Sequence, residues 1–370
     1  MKNLASVLAC LISLSIPALS FSSPSDPSES FSRQEAIDQA LRRATVVKEL
    51  RQMVIKRTLY RMSLDYEIGY STHGEQTFKI IDSQERTISE LKYPHRGQLH
   101  TISAEATLTP SFFVGGKFAS SYLGANLFKG SRSTDQDWDR DVSDLVQSES
   151  SSYSQARISL FDVNAYFRLF TVGHLRGLDD DKVQSLFYKM VIAPKEVESS
   201  DYIPTDRFSV DVFGGYQHYK GRYFTTDLIQ TVDNYVSVND HYDGLASFYK
   251  IAYYGPRMGY RIEGILGKLS TRFSFAYAWL TTKAHGFWNL RNYEFTQEGS
   301  GGNSIDMQLE ALYALTPSFS LGVGFNYAEF NQKKMKESGN NNGFEYSDED
   351  IVREANSRVY GPTVKVRYSW

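Results

Sequence analysis

Cysteine is almost missing from this chain. Of its 370 residues one is a cysteine, Cys10, and it lies inside the only long apolar run, Leu4 to Leu19. The rest of the sequence therefore has no disulfide framework and no thiolate zinc site. A second apolar run is also lacking, so no membrane helix is expected beyond the leader. There is no excess of positive charge either. The net charge of −3 argues against an electrostatic nucleic-acid partner. Gly299-Ser300-Gly301-Gly302 is not followed by Lys-Ser/Thr, which excludes a phosphate-binding loop and leaves a flexible turn. The histidines are scattered and have no metal-ligand spacing, so neither metal nor cofactor is expected.

Aromatic residues are what the chain has in abundance. They make up 14%, with 25 Tyr and 23 Phe, yet the mean hydropathy is −0.40. Such a chain must alternate apolar with polar residues rather than run them in blocks. The beginning is different. Met1-Lys2-Asn3, the apolar run and Ala18-Leu19-Ser20 have the order of a secretory signal peptide, expected over residues 1–20. The run continues past Val7-Leu8-Ala9-Cys10, which argues against a lipoprotein signal. Residues 21–61 read as a periplasmic linker and an amphipathic helix. Ser32-Arg33-Gln34-Glu35 has the form of a capping box, and Ile37, Leu41, Ala44, Val47, Leu50 and Val54 come after it at helical spacing to about Arg61. A solvated helix and a short coiled coil that gathers the chain into a homo-oligomer both fit this pattern.

From Met62 the period becomes two. Phe161, Val163, Ala165, Phe167 and Leu169 alternate with polar neighbours, as do Phe273, Phe275, Tyr277 and Trp279. In the last segment Tyr360, Pro362, Val364, Val366, Tyr368 and Trp370 alternate with Gly361, Thr363, Lys365 and Arg367. Ten such segments occur, at 63–78, 88–109, 111–122, 155–171, 207–226, 241–263, 268–283, 292–315, 318–331 and 356–370. Their length and aromatic ends suit lipid-facing strands better than the short strands of a sandwich. The expected fold is all-β, a ten-stranded antiparallel transmembrane β-barrel over 62–370. Tight turns at Thr109-Pro110-Ser111, Leu266-Gly267-Lys268 and Thr316-Pro317-Ser318 alternate with long polar connectors at 123–154, 227–240, 284–291 and 332–355. A periplasmic N-terminus would place the long connectors outside the cell, in the outer membrane. The insertion 172–206 breaks this pattern, being long on the tight-turn side, and Asp181 to Tyr188 within it could form a short helix.

From about Leu64 to Trp370 the sequence resembles the omptin family, the ten-stranded outer-membrane aspartyl-type endopeptidases. The residues that carry this are Ile88-Ser89-Glu90-Leu91-Lys92-Tyr93, Ser131-Arg132, Asp135-Gln136-Asp137-Trp138, Gly215-Tyr216-Gln217, Pro256-Arg257-Met258-Gly259 and Leu315-Thr316-Pro317, in that order. The resemblance implies a water held between an Asp-Asp pair and an Asp-x-His pair, with cleavage near basic residues. It assigns Asp135 and Asp137 to the first pair and His285 to the second, Glu75 to substrate binding, and Tyr216 with Arg222 (or Lys220) to lipopolysaccharide. Asp135 and Asp137, two apart, point the same way on an extended chain.

The second pair is incomplete. Lys283 stands where the carboxylate belongs, and Asp-x-His occurs nowhere in the chain. Lysine only donates and cannot accept the imidazole N–H. Loss of the orienting carboxylate in a comparable triad costs on the order of 10⁴ in rate. Asp240-His241 is a substitute on a different segment. The partner acid of Glu75 is missing from Thr281-Thr282, and a further basic lipid-site position is Ala252. Three readings compete. The first is a catalytically impaired barrel that binds at the surface, to peptides or a host surface, as an adhesin does. The second is an active omptin-type endopeptidase, and the third is a porin. Asp137 and His285 are expected to face each other across the mouth with Glu75 beneath, and Lys283 to pair with one of the aspartates.

Overall fold

In the computed structural model the described residues are 62–370 apart from 110, 122–127, 140–144, 176–204, 290–291, 342 and 349–351. The expected signal peptide, the helix to Arg61 and the short helix at 181–188 lie outside them. The strands are β1 (Met62–Ile81), β2 (Thr87–Thr109), β3 (Phe112–Ser120), β4 (Phe128–Trp138), β5 (Val146–Leu175), β6 (Thr205–Asp233) and β7 (Val236–Leu266). They continue with β8 (Leu269–Trp288), β9 (Tyr293–Ala314), β10 (Phe319–Gln332), β11 (Lys336–Asn341), β12 (Phe344–Asp348) and β13 (Val352–Ser369). All neighbouring strands are antiparallel. Ten of them form a ring in the order β1, β2, β3, β5, β6, β7, β8, β9, β10 and β13, which returns to β1.

The ring is uneven along its height. Above β3, its place between β2 and β5 is taken by β4. Above the β9–β10 ladder, β9 pairs instead with β11, which carries β12. At the opposite end Met62 and Trp370 exchange backbone hydrogen bonds in both directions, each 3.1 Å long. That is also the end of the short turns. Gly267 supplies the left-handed φ of +59° in the two-residue turn between β7 and β8. The Thr316 hydroxyl accepts from the backbone N–H of Phe319 at 3.0 Å.

Side-chain direction is set by alternation. On β1 Leu64, Tyr66, Ile68 and Tyr70 are exposed while Asp65 and Glu67 are buried; on β5 Phe161, Val163, Phe167 and Leu169 are exposed while Asp162 and Asn164 are buried. The same reversal holds on β13, where Val364 and Tyr368 are exposed and Lys365 and Arg367 buried. A continuous apolar band facing outward around charged residues is inside-out for water and correct for a bilayer.

The long connectors expected as polar loops are largely strand. β5, β6 and β7 run for 30, 29 and 31 residues. At about 3.3 Å per residue each is roughly 100 Å long, far more than the ~30 Å hydrocarbon layer needs. Ser131–Trp138, expected in a loop, lies within β4. These upper segments are polar on the outer face because water surrounds them, so the apolar alternation fades while the backbone ladder continues.

Candidate functional site

Asp135 and Asp137 sit on β4 at positions equivalent to the buried Ser133, and so face inward. Asp135 stands opposite Leu91 and Ser150, and Asp137 opposite Ser89 and Ser148. The wall around them is rich in hydroxyls. Ser133 and Ser152 share a hydrogen bond of 3.2 Å, and Thr225 and Ser247 one of 2.7 Å. Below lies Tyr93. Burial pushes its phenol up, the Ser247 hydroxyl pulls the other way, and the Asp135 charge adds to the rise.

The inward positions of β8 carry no base among the described residues. On β8 the inward positions are Thr282, Ala284 and Gly286, all buried. Lys283 and His285 fall on the alternate, outer face. The Lys283 ammonium donates to Glu298 at 2.8 Å, and the hydrogen bond and charge of Glu298 raise its pKa. His285 Nε2 lies 2.8 Å from a Glu294 carboxylate oxygen, and its ring packs on Phe248. The two aspartates are thus brought together, while His285 is directed away from the bore and Lys283 pairs with neither aspartate. Glu75 is also on the outside, accepting from the Thr77 hydroxyl at 3.0 Å. A one-residue bulge in β1 between Ser71 and Gly74 reverses the facing of the residues beyond it. Asp240 and His241 are exposed on β7, opposite Gln230 and Ile229 of β6.

Beneath the aspartates the bore is filled by aromatic rings, a layer not expected from the sequence. Tyr93, Tyr219, Tyr223, Tyr249 and Tyr253 are fully buried, with Phe78, Phe295 and Phe330 among them. Rings meet from across the barrel: Phe78 of β1 lies 5.7 Å from Tyr249 of β7, and Tyr219 of β6 lies 4.4 Å from Phe330 of β10. The signal was present in Tyr219, Tyr223, Tyr249 and Tyr253, which put large rings on the face that is polar lower down.

Below the rings comes a layer of ion pairs. Lys117 of β3 lies 3.8 Å from Asp306 of β9, on the opposite side of the ring. Arg257 pairs with Asp162 at 3.0 Å, and Arg367 with Asp65 at 2.7 Å. Arg261 joins Asp211 to Glu105 and stacks between Phe113 and Tyr166. Between rings and charges is a cavity of about 60 Å³, and within the charges one of about 80 Å³.

On the outer wall, Tyr216 is exposed between Val163 and Pro256, at the upper part of the apolar band. Above it a basic row crosses three strands in register: Arg157 on β5, Arg222 on β6 and Lys250 on β7. His285 on β8 continues the row. Lys250 lies 4.6 Å from the Phe248 ring centre, and Arg157 6.0 Å from that of Phe224. Among the described residues no group of three or more His, Cys, Asp or Glu could hold a metal ion.

An outward apolar band, a polar lumen and a closed antiparallel ring define an outer-membrane β-barrel protein. Comparison with known proteins agrees. Residues 201–366 match the family described as Pom, Protochlamydia outer membrane protein. The crystal structure of the outer membrane protease OmpT from Escherichia coli is similar, with a TM-score of 0.66 and 14% identity over 85% of this chain and 98% of that one. At that identity the likeness is one of fold. The translocator domain of the autotransporter NalP from Neisseria meningitidis also aligns, with 9% identity over 89% of this chain and 97% of that one, at a TM-score of 0.32. No curated protein sequence matches.

Proposed function

We propose that this protein is a catalytically silent surface barrel. It is seated in the outer leaflet by anionic lipid headgroups, with its upper hairpins displayed outside the cell as a binding surface. The observation that carries this is the direction of His285. Hydrolysis needs a base within about 3 Å of the attacking water. Here the aspartates face hydroxyls and a tyrosine, and the imidazole that the omptin resemblance assigns to them is on the far side of the wall, bonded to Glu294. The filled bore weighs against the porin reading.

The basic row Arg157–Arg222–Lys250 supports the lipid part. It lies just above the apolar band, where lipopolysaccharide phosphates would lie, and Tyr216 below it suits the interface. Arg222→Glu should reduce the lipopolysaccharide that copurifies with the barrel, while Lys268→Glu at the other end should not. The catalytic part is tested by incubating refolded protein, with lipopolysaccharide, against peptides containing Arg-Arg or Arg-Lys. We expect no turnover, and none from Lys283→Asp, because that carboxylate would face outward. Strong wild-type cleavage that is lost in Asp135→Ala would establish the endopeptidase instead.

A further inference from the structure

The short-turn end of the barrel opens into a cavity of about 220 Å³. Arg168, Arg207, Lys268, Arg272 and Arg367 line it with Glu105 and Glu263. Just behind the lining, Asp211 holds Arg168 at 2.8 Å, Asp65 holds Arg367 at 2.7 Å and Glu310 lies 3.5 Å from Arg272. Both lining carboxylates are already engaged: Glu263 accepts from Arg207 at 2.8 Å and from Arg272 at 3.0 Å, and Glu105 from Arg261. Two of the five cations, Arg207 and Lys268, keep donors to spare. A guanidinium carries five N–H donors. The hydrogen bond from Arg207 to Glu263 goes through a single nitrogen, while its buried Nε has no acceptor among the described residues. Lys268, lifted into the opening by the Gly267 turn, is exposed and makes no side-chain bond among the described residues.

We propose that this mouth is a receptor for a small oxyanion bearing phosphate or carboxylate groups. Guanidinium forks match such oxygens in pairs, and the ammonium adds charge at the entrance. The cavity is large enough for a compact multivalent anion, and the ion-pair layer above closes it to anything longer. An apolar ligand would leave these donors unmet, and a metal cation would find the carboxylates already taken by arginines. The chain's own basic stretch is the wrong occupant: residues 33–61, which precede β1, hold eight Lys or Arg against three Asp or Glu.

The test is calorimetric titration of the full refolded chain in maltoside micelles, at physiological salt, with pyrophosphate and with citrate as separate probes. Saturable binding of either supports the site, and which of the two binds tells phosphate from carboxylate chemistry. Lys268→Gln, on an exposed turn, and Arg207→Gln should each weaken binding by about tenfold, the scale of one charge-assisted contact. Lys283→Gln on the outer wall, where the ammonium is held by Glu298, should leave it unchanged. Absence of saturable heat with both probes would overturn the proposal. So would wild-type affinity in Lys268→Gln, a variant whose folding the turn does not endanger.

Discussion

Parity along a strand decides what a residue can do in this barrel, and β8 is the clearest case. Trp279 faces lipid, so Lys283 and His285, four and six residues later, face outward too. That much was readable from the sequence, where Phe273 to Trp279 already marked the outer face. Glu75 was not readable: the extra residue between Ser71 and Gly74 turns it from the lumen side to the outside. Elsewhere single residues hold the upper structure. Glu337 of β11 is buried with Arg353 of β13 at 3.2 Å, and Tyr293 and Gln297 donate to it at 2.6 Å. Glu337→Ala would remove the buried carboxylate that Arg353, Tyr293 and Gln297 share, so denaturant unfolding should report a loss of about 3–5 kcal/mol.

Glu90 lies between Lys79 and Lys92, at 2.9 and 2.6 Å. Burial alone would raise its pKa, but the bonds from the two lysines prevail and lower it. The carboxyl thus contributes stability above its unfolded value of about 4.3, and that contribution is lost as pH falls through the lower folded value. The lysines are partly exposed, so the amount is about 1 kcal/mol or less. The stability gap between wild type and Glu90→Gln, followed by denaturation at several pH values, should close as the solution is acidified below that range.

Among the elements, the strands of the apolar band were legible because lipid outside and charge inside impose a strict period of two. Their continuations were not. Water on the outer face removes the contrast, and β4, β11 and β12 are held by ladder bonds that leave no mark on side-chain pattern. The aromatic layer hid for the opposite reason, since Tyr and Phe appear there on both faces. Tyr223 and Tyr249 lie seven residues beyond the lipid-facing Tyr216 and seven before Pro256. Burial raises both phenols well above their usual range, and the neighbouring tyrosines Tyr219 and Tyr253 add to it. Because a raised folded pKa favours the neutral phenol, their contribution is complete below about pH 10 and is lost only as pH climbs past the folded value. In ultraviolet titration a set of tyrosines that includes Tyr223 and Tyr249 should remain protonated until the barrel unfolds.

At the scale of the molecule the barrel is a stack: an acidic, hydroxyl-lined mouth, a disc of rings, a layer of ion pairs and a basic opening. The ten-stranded ring was legible from counts and turns, whereas the stack was not, because it depends on which side chains meet across the bore. Two layers are closed, among the described residues, by contacts between opposite strands. In planar bilayers the protein should therefore give no steady single-channel current above background, and a stable open level would contradict the filled bore.

The paired ends, Met62 with Trp370, have a consequence for how the ring is made. β13 touches both β1 and β10, the first strand of the ring and the one before the last. Until β13 is in place the sheet is a ribbon with two raw edges, each able to pair with a stranger. Closure of the ring therefore depends on β13, which joins β1 to β10. Because that seam is bonded like any other, a chain cut at an upper hairpin and joined across Met62 and Trp370 would describe the same circle from a different starting point.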